Sequence, residues 1–184
     1  MSEFWRNLSD TDEALDAILT GYKGTVLDMP IYEDVTKFLN KNGSILDFGC
    51  GAGRNLKYLK DTYSQVYGYD FPNMLKIVPR ETLAKGNVTI TSDWDFISRH
   101  KYDEVLCSLV LQHIDPDELK TILARLTSCS SRFIIHSRIW VDFTFEPIMP
   151  ILEQYFNIDI IEYQKDPNSE ENDHFIGVFI PKEK

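Results

Sequence analysis

Three glycines, Gly49, Gly51 and Gly53, fall at G-x-G-x-G spacing between the apolar run SILDF and the segment RNLKYLKD. Glycine lets a backbone turn sharply and approach a ligand closely, so this turn reads as a cradle. Asp47 lies two residues before the first glycine, and Asp70 closes the run QVYGYD further on. An acid at the end of the strand that follows a glycine loop can accept hydrogen bonds from ribose hydroxyls. The dinucleotide fingerprint requires G-x-G-x-x-G, and Arg54 occupies its last position here. The residues therefore point to a ribose-bearing ligand that is not held in the dinucleotide manner.

Such a site needs strands to aim it. Strand-like runs appear at SILDF, QVYGYD, NVTIT, YDEVLCSLV, RFIIH, FNIDIIEY and HFIGVFI. Helical segments lie between them. The first is expected from Ser9–Thr11 to Thr20, and the second follows Pro30 through IYEDVTKFLN. RNLKYLKD, FPNMLKIV, WDFISRH and PIMPILEQY follow the same reading. PDELKTILARLTS is the clearest, with Leu119, Ile122, Leu123 and Leu126 on one face. Alternating strands and helices predict an α/β fold with a mainly parallel sheet covered on both faces. KDPNSEEND has no helical period, so the last two strands must pair as an antiparallel hairpin. The expectation is seven strands in one domain over residues 1–184, with residues 1–30 as a helical lid and 31–184 as the core.

Composition narrows the partners. The chain has 184 residues, 43% of them hydrophobic, which is enough for a core without disulfides or a structural metal. It carries 19 basic and 29 acidic residues, a net charge of −10, with no run of Lys and Arg. A nucleic-acid partner is disfavoured, because phosphate binding needs a basic face. Cys50, Cys107 and Cys129 are too widely spaced for a disulfide framework or a Cys-x-x-Cys motif. No stretch reaches the ~20 apolar residues of a membrane helix, and the acidic N-terminus is unlike a signal peptide. These features predict a cytoplasmic protein that makes no use of a membrane.

DFGCGAGRN, GYDFPNML and SLVLQHI, in this order, resemble the motifs of the class I (Rossmann-like) S-adenosylmethionine-dependent methyltransferases. The resemblance spans residues 31–138, and the terminal hairpin is similar to the antiparallel seventh strand of that family. It implies a Rossmann-like three-layer sandwich, S-adenosylmethionine as cofactor and S-adenosylhomocysteine as product. By the same resemblance, Gly49, Gly51 and Gly53 pass under the amino-acid part of the cofactor. Asp47 lies near its ammonium or organises the loop. Asp70 holds the ribose hydroxyls, Phe71 covers adenine, Asp93 bonds the adenine amino group and Trp94 lies beside the ring. Leu109 and Val110 flank the methionyl portion.

The sulfonium already makes the methyl group electrophilic, so the protein's tasks are alignment and exclusion of water. His113 follows the fourth strand and is the candidate base, while His136 within RFIIHSR reads as structural. No Asn-Pro-Pro-Tyr-like or Pro-Cys segment follows the fourth strand, which disfavours amino groups of adenine or glutamine and covalent attack on a pyrimidine; the histidines lack ligand spacing, so no metal is expected. Phe4, Trp5, Trp140, Phe143 and Phe145, interleaved with Asp142 and Glu146, favour an amine or other cationic acceptor. Trp5, Arg138 and Trp140 are the candidate acceptor contacts. The expected function is methyl transfer to N or O of a small molecule, with room for a homodimer to complete the pocket. The alternatives are a methyltransferase acting on protein or tRNA, a non-catalytic cofactor-binding scaffold, and a nicotinamide-dependent oxidoreductase.

Overall fold

The computed structural model describes residues 33–139, 148–165 and 173–183, with residues 7, 8, 12, 15, 25, 27, 28 and 31 before them. Residues 138, 139, 164, 165 and 173 are described by backbone alone. In chain order the elements are α1 (Glu33–Phe38), β1 (Ser44–Phe48), α2 (Leu56–Thr62), β2 (Gln65–Tyr69), α3 (Pro72–Leu75), α4 (Arg80–Leu83) and β3 (Val88–Thr91). Then come α5 (Trp94–Arg99), β4 (Glu104–Ser108), a 3-10 turn at Leu111–His113, α6 (Pro116–Leu126) and β5 (Phe133–Ile139). The last three are α7 (Met149–Tyr155), β6 (Phe156–Lys165) and β7 (Asp173–Pro181).

The strands form one seven-stranded sheet in the order β3-β2-β1-β4-β5-β7-β6. The first five are parallel. β7 runs antiparallel to both β5 and β6, so it alone is reversed. The order changes direction between β1 and β4, and ligands of open α/β sheets bind at such a switch, beyond the carboxyl ends. The anticipated α/β three-layer sandwich with an antiparallel C-terminal strand is the fold observed.

Side chains alternate across each strand and so build two cores. Leu46, Phe48, Val105, Cys107, Phe133 and Ile135 face α5, α6 and α7. Ile45, Val66, Leu106 and Ile134 face α1 and α2, through Val35, Phe38, Leu56 and Leu59. On α6, Leu119, Leu123 and Leu126 are buried at helical spacing, while Asp115 caps the first turn by accepting from the Asp117 amide at 2.9 Å.

Several boundaries differ from the sequence expectation. IYEDVTKFLN yields only Glu33–Phe38, and FPNMLKIV only the single turn Pro72–Leu75. Pro79 then opens a second one-turn helix, α4, which is too short to show a period in the sequence. The run YDEVLCSLV stops as a strand at Ser108, because Leu109 turns into the left-handed region at φ 60°. The helix expected over Ser9–Thr20 lies almost wholly outside the described residues.

Candidate functional site

β1 delivers the glycine loop. Gly49, Gly51 and Gly53 all have positive φ, at 77°, 52° and 86°. A side chain at Gly49 would also collide with Val110, whose Cγ2 lies 2.3 Å from the position a Cβ would take. The loop is pinned to the next strand, with the Gly49 and Cys50 amides both donating to the Tyr69 carbonyl, at 2.8 and 3.0 Å.

Asp70 holds the centre of this arrangement. Its Oδ2 accepts from the Gly51 amide and its Oδ1 from the Phe71 amide, each at 2.7 Å. One carboxylate thus ties the glycine loop to the end of β2, and each oxygen keeps acceptor capacity for a vicinal diol. Burial pushes its pKa up to about 6, against the pull of the two amides. Phe71 packs with the pair Leu8 and Met74.

Asp47 is fully buried behind the loop. Its Oδ1 accepts one hydrogen bond, from Asn55 Nδ2 at 3.2 Å. Its Oδ2 and the Asn55 Oδ1 are buried with no partner. Burial raises the Asp47 pKa to about 7, with Asn55 acting in the opposite sense. Two orphaned acceptor oxygens beneath a glycine cradle suit a cationic, hydrogen-bond-donating ligand group. The set of acceptors therefore fits the amino-acid and ribose parts of S-adenosylmethionine. The Asn55 contribution went unread in the sequence, although a polar residue opening the helix after the loop was its signal.

The other predicted residues divide. Asp93 caps α5, its Oδ1 accepting from the Asp95 and Phe96 amides at 2.9 and 3.1 Å. Trp94 packs its ring on Phe48 and Tyr69, at centroid distances of 5.8 and 5.5 Å, with the Arg125 guanidinium 5.0 Å from the ring. Leu109 adopts its left-handed turn at the end of β4 and donates its amide to the His136 carbonyl at 2.7 Å. A non-glycine residue held there is strained, and such strain gathers at functional sites. Val110 is buried against Gly49. His113 ends the 3-10 turn beyond β4, partly buried, and burial lowers its pKa. Arg138 lies on β5 with its side chain outside the described atoms, and Phe4, Trp5 and residues 140–146 lie outside the described residues. Among the described residues no group of three or more His, Cys, Asp or Glu side chains could hold a metal ion, and no helix is long and apolar enough to cross a membrane.

The seven-stranded fold that carries this glycine loop is shared with known proteins. The sequence profile of the family described as "Methyltransferase domain" matches residues 27–132. The structure is similar to magnesium protoporphyrin IX methyltransferase (ChlM) from Synechocystis, solved with S-adenosylhomocysteine, at a TM-score of 0.69 and 16% identity over 98% of this chain and 97% of that one. It is equally similar to a TehB-like methyltransferase from Corynebacterium glutamicum, with a TM-score of 0.69, 17% identity and coverage of 94% and 100%. The N-methyltransferase NodS from Bradyrhizobium japonicum gives 0.69, 15% identity and coverage of 95% and 100%. No curated protein matches the chain by sequence. The chain belongs to the methyltransferase-domain family and is a class I S-adenosylmethionine-dependent methyltransferase. Its cofactor is S-adenosylmethionine.

Proposed function

We propose that this enzyme transfers the methyl group to a nitrogen or oxygen of a small molecule. Bound S-adenosylmethionine supplies a methyl already activated on a sulfonium. In this reading the Gly49–Gly53 turn passes under the amino-acid part, and Asp47 with Asn55 receives its ammonium. Asp70 accepts the ribose hydroxyls, with Phe71 over adenine and the second oxygen of Asp93 toward the adenine amino group. Trp94 forms the wall behind that ring. Leu109 and Val110 flank the methionyl chain. His113, kept neutral near pH 7 by its lowered pKa, holds the acceptor's proton-bearing atom or takes its proton. Trp5, Arg138 and Trp140 contact the acceptor.

The observation that supports a small acceptor is that Leu8 and Leu27 both touch the elements that follow the glycine loop and Asp70. Leu8 is buried with Met74, and its carbonyl accepts from the Asn73 side chain. The Leu27 carbonyl accepts from Lys57 Nζ at 2.5 Å. In this reading the N-terminal segment that carries Leu8 and Leu27 serves as a lid, and a second copy of the chain completes the pocket as a homodimer. Three free, buried thiols and the net charge of −10 support a cytoplasmic enzyme that does not act on nucleic acid.

Thermal unfolding with S-adenosylhomocysteine, followed by an acceptor panel, tests this. At ~100 times its dissociation constant the ligand adds ~2.7 kcal/mol to stability, a rise of roughly 5–10 °C for a chain this size. Methylated product from amines or alcohols is the expected outcome of the panel. Product found only on protein or tRNA overturns the small-molecule reading, and cofactor binding without turnover of any class supports a scaffold instead.

A further inference from the structure

Strand alternation places Asp47 on β1, Ser108 on β4, His136 on β5 and His174 on β7 on the same face of the sheet as Ile45, Leu106, Ile134 and Ile176. The last three are joined. Ser108 Oγ lies 3.0 Å from His136 Nδ1, and His136 Nε2 lies 3.2 Å from His174 Nδ1. The two imidazole planes lie within 10° of parallel, with centroids 5.4 Å apart, so the rings meet edge to edge through their nitrogens. Ser108 and His136 are buried, while His174 is partly exposed. The line therefore starts one residue before the strained Leu109 and ends toward solvent. Its inner end is fixed by the bond from the Leu109 amide to the His136 carbonyl.

We infer that Ser108, His136 and His174 carry away the proton that the acceptor loses on methylation. The inference rests on the proposed transfer to a nitrogen or oxygen and narrows the acceptor to one bearing a proton, an N–H or a hydroxyl rather than a carboxylate. The acceptor's electron pair forms the bond to the methyl carbon, and the pair of the broken carbon–sulfur bond stays on the departing sulfur. The acceptor's proton passes to Ser108 Oγ as the Ser108 proton moves to His136 Nδ1. The proton on His136 Nε2 moves to His174 Nδ1, and His174 holds the charge until water takes it. His113 is left with the hydrogen bond that orients the acceptor.

The heavy-atom distances fix the line, and the tautomer of His136 fixes its direction. The line accepts a proton only if His136 Nδ1 is bare and Nε2 carries hydrogen. Long-range proton–nitrogen NMR of the full chain with 15N-labelled histidine reads this directly, with and without S-adenosylhomocysteine. Four histidines allow assignment through single His→Gln variants. We expect the Nε2–H tautomer for His136, a shift of its Nδ1 resonance in Ser108→Ala, recovery of that resonance in Ser108→Thr, and an unmoved His113 signal. A His136 that carries its proton on Nδ1, or one indifferent to Ser108→Ala, overturns the inference and returns the proton to His113. The acceptor class is read separately, on the methylated product, so this line and the proposed small-molecule transfer fail independently.

Discussion

The sheet buries carboxylates at both ends and treats them in opposite ways. At the amino end, the fully buried Glu104 accepts from the Asn40 amide at 3.0 Å, the Tyr63 hydroxyl and the Arg132 guanidinium. Arg132 also donates to the Phe38 carbonyl at 2.6 Å, so the cluster ties the ends of α1, α2, β4 and β5 together. At the carboxyl end, Asp47 has one partner and an orphaned oxygen, and burial drives its pKa up to about 7. The first carboxylate is satisfied by the protein. The second is left for something else to satisfy. Counting partners therefore separates a buried acid that holds the fold from one that the proposed ligand would satisfy, at opposite strand ends of one sheet.

The sharpest way to break the comparison is Glu104→Ala. It strands Arg132 and Tyr63 and should cost about 3–5 kcal/mol of stability, read as a lower urea midpoint. The affinity of the remaining folded protein for S-adenosylhomocysteine should be unchanged. Asp70→Ala should do the reverse. On the proposed ribose role, loss of two charge-assisted hydrogen bonds should weaken S-adenosylhomocysteine binding by about 100-fold or more, measured by calorimetry. The folded state should suffer less, because the Gly51 and Phe71 amides then turn to water.

A pH series sharpens the contrast further. The folded pKa values of Asp47 and Asp70, about 7 and about 6, lie above the unfolded aspartate value of ~3.9. The ligand-free folded protein therefore keeps protons that the unfolded chain releases. The stability contribution is complete below about pH 4 and is lost as pH rises through 6 and 7, by at most ~1.4 kcal/mol per unit for each group. Asp47→Asn should flatten that decline between pH 6 and 7 in melts compared with the wild type. An ammonium beside Asp47 favours its ionised form, so S-adenosylhomocysteine should bind more tightly at pH 8 than at pH 6. The smallest effect belongs to Asp103→Ala. Asp103 adjoins Glu104 but is exposed, accepting from the Ser44 amide and hydroxyl at 2.7 and 2.9 Å. Water can replace it, so the loss in a urea melt should stay under about 1 kcal/mol.

What could be read from the sequence was what is local in it. SILDF, QVYGYD and NVTIT are strands because short apolar or β-branched runs lie between turn signals, and the hairpin follows from a connection with no helical period. Asp47, the three glycines and Asp70 sit within two consecutive strand–loop units, so their spacing shows their meeting. The Ser108–His136–His174 line was hidden because its members come from three strands, and sheet register alone sets Ser108 opposite His136. A polar residue ending an apolar strand was the only trace, and His136 reads as structural without its neighbours. The saturation of Glu104 was hidden for the same reason, since its donors come from residues 40, 63 and 132.

The strand order also bears on how the chain matures as it leaves the ribosome. β7 is made after β6 yet lies between β6 and β5. Until it emerges, β5 has an open edge along Phe133–Ile139, the stretch that β7 later covers in full register. An edge of that length and apolarity invites pairing with another chain. That edge is covered only once β7 pairs with it. Truncation within residues 173–181 should leave it open, because it removes a neighbour from two strands at once.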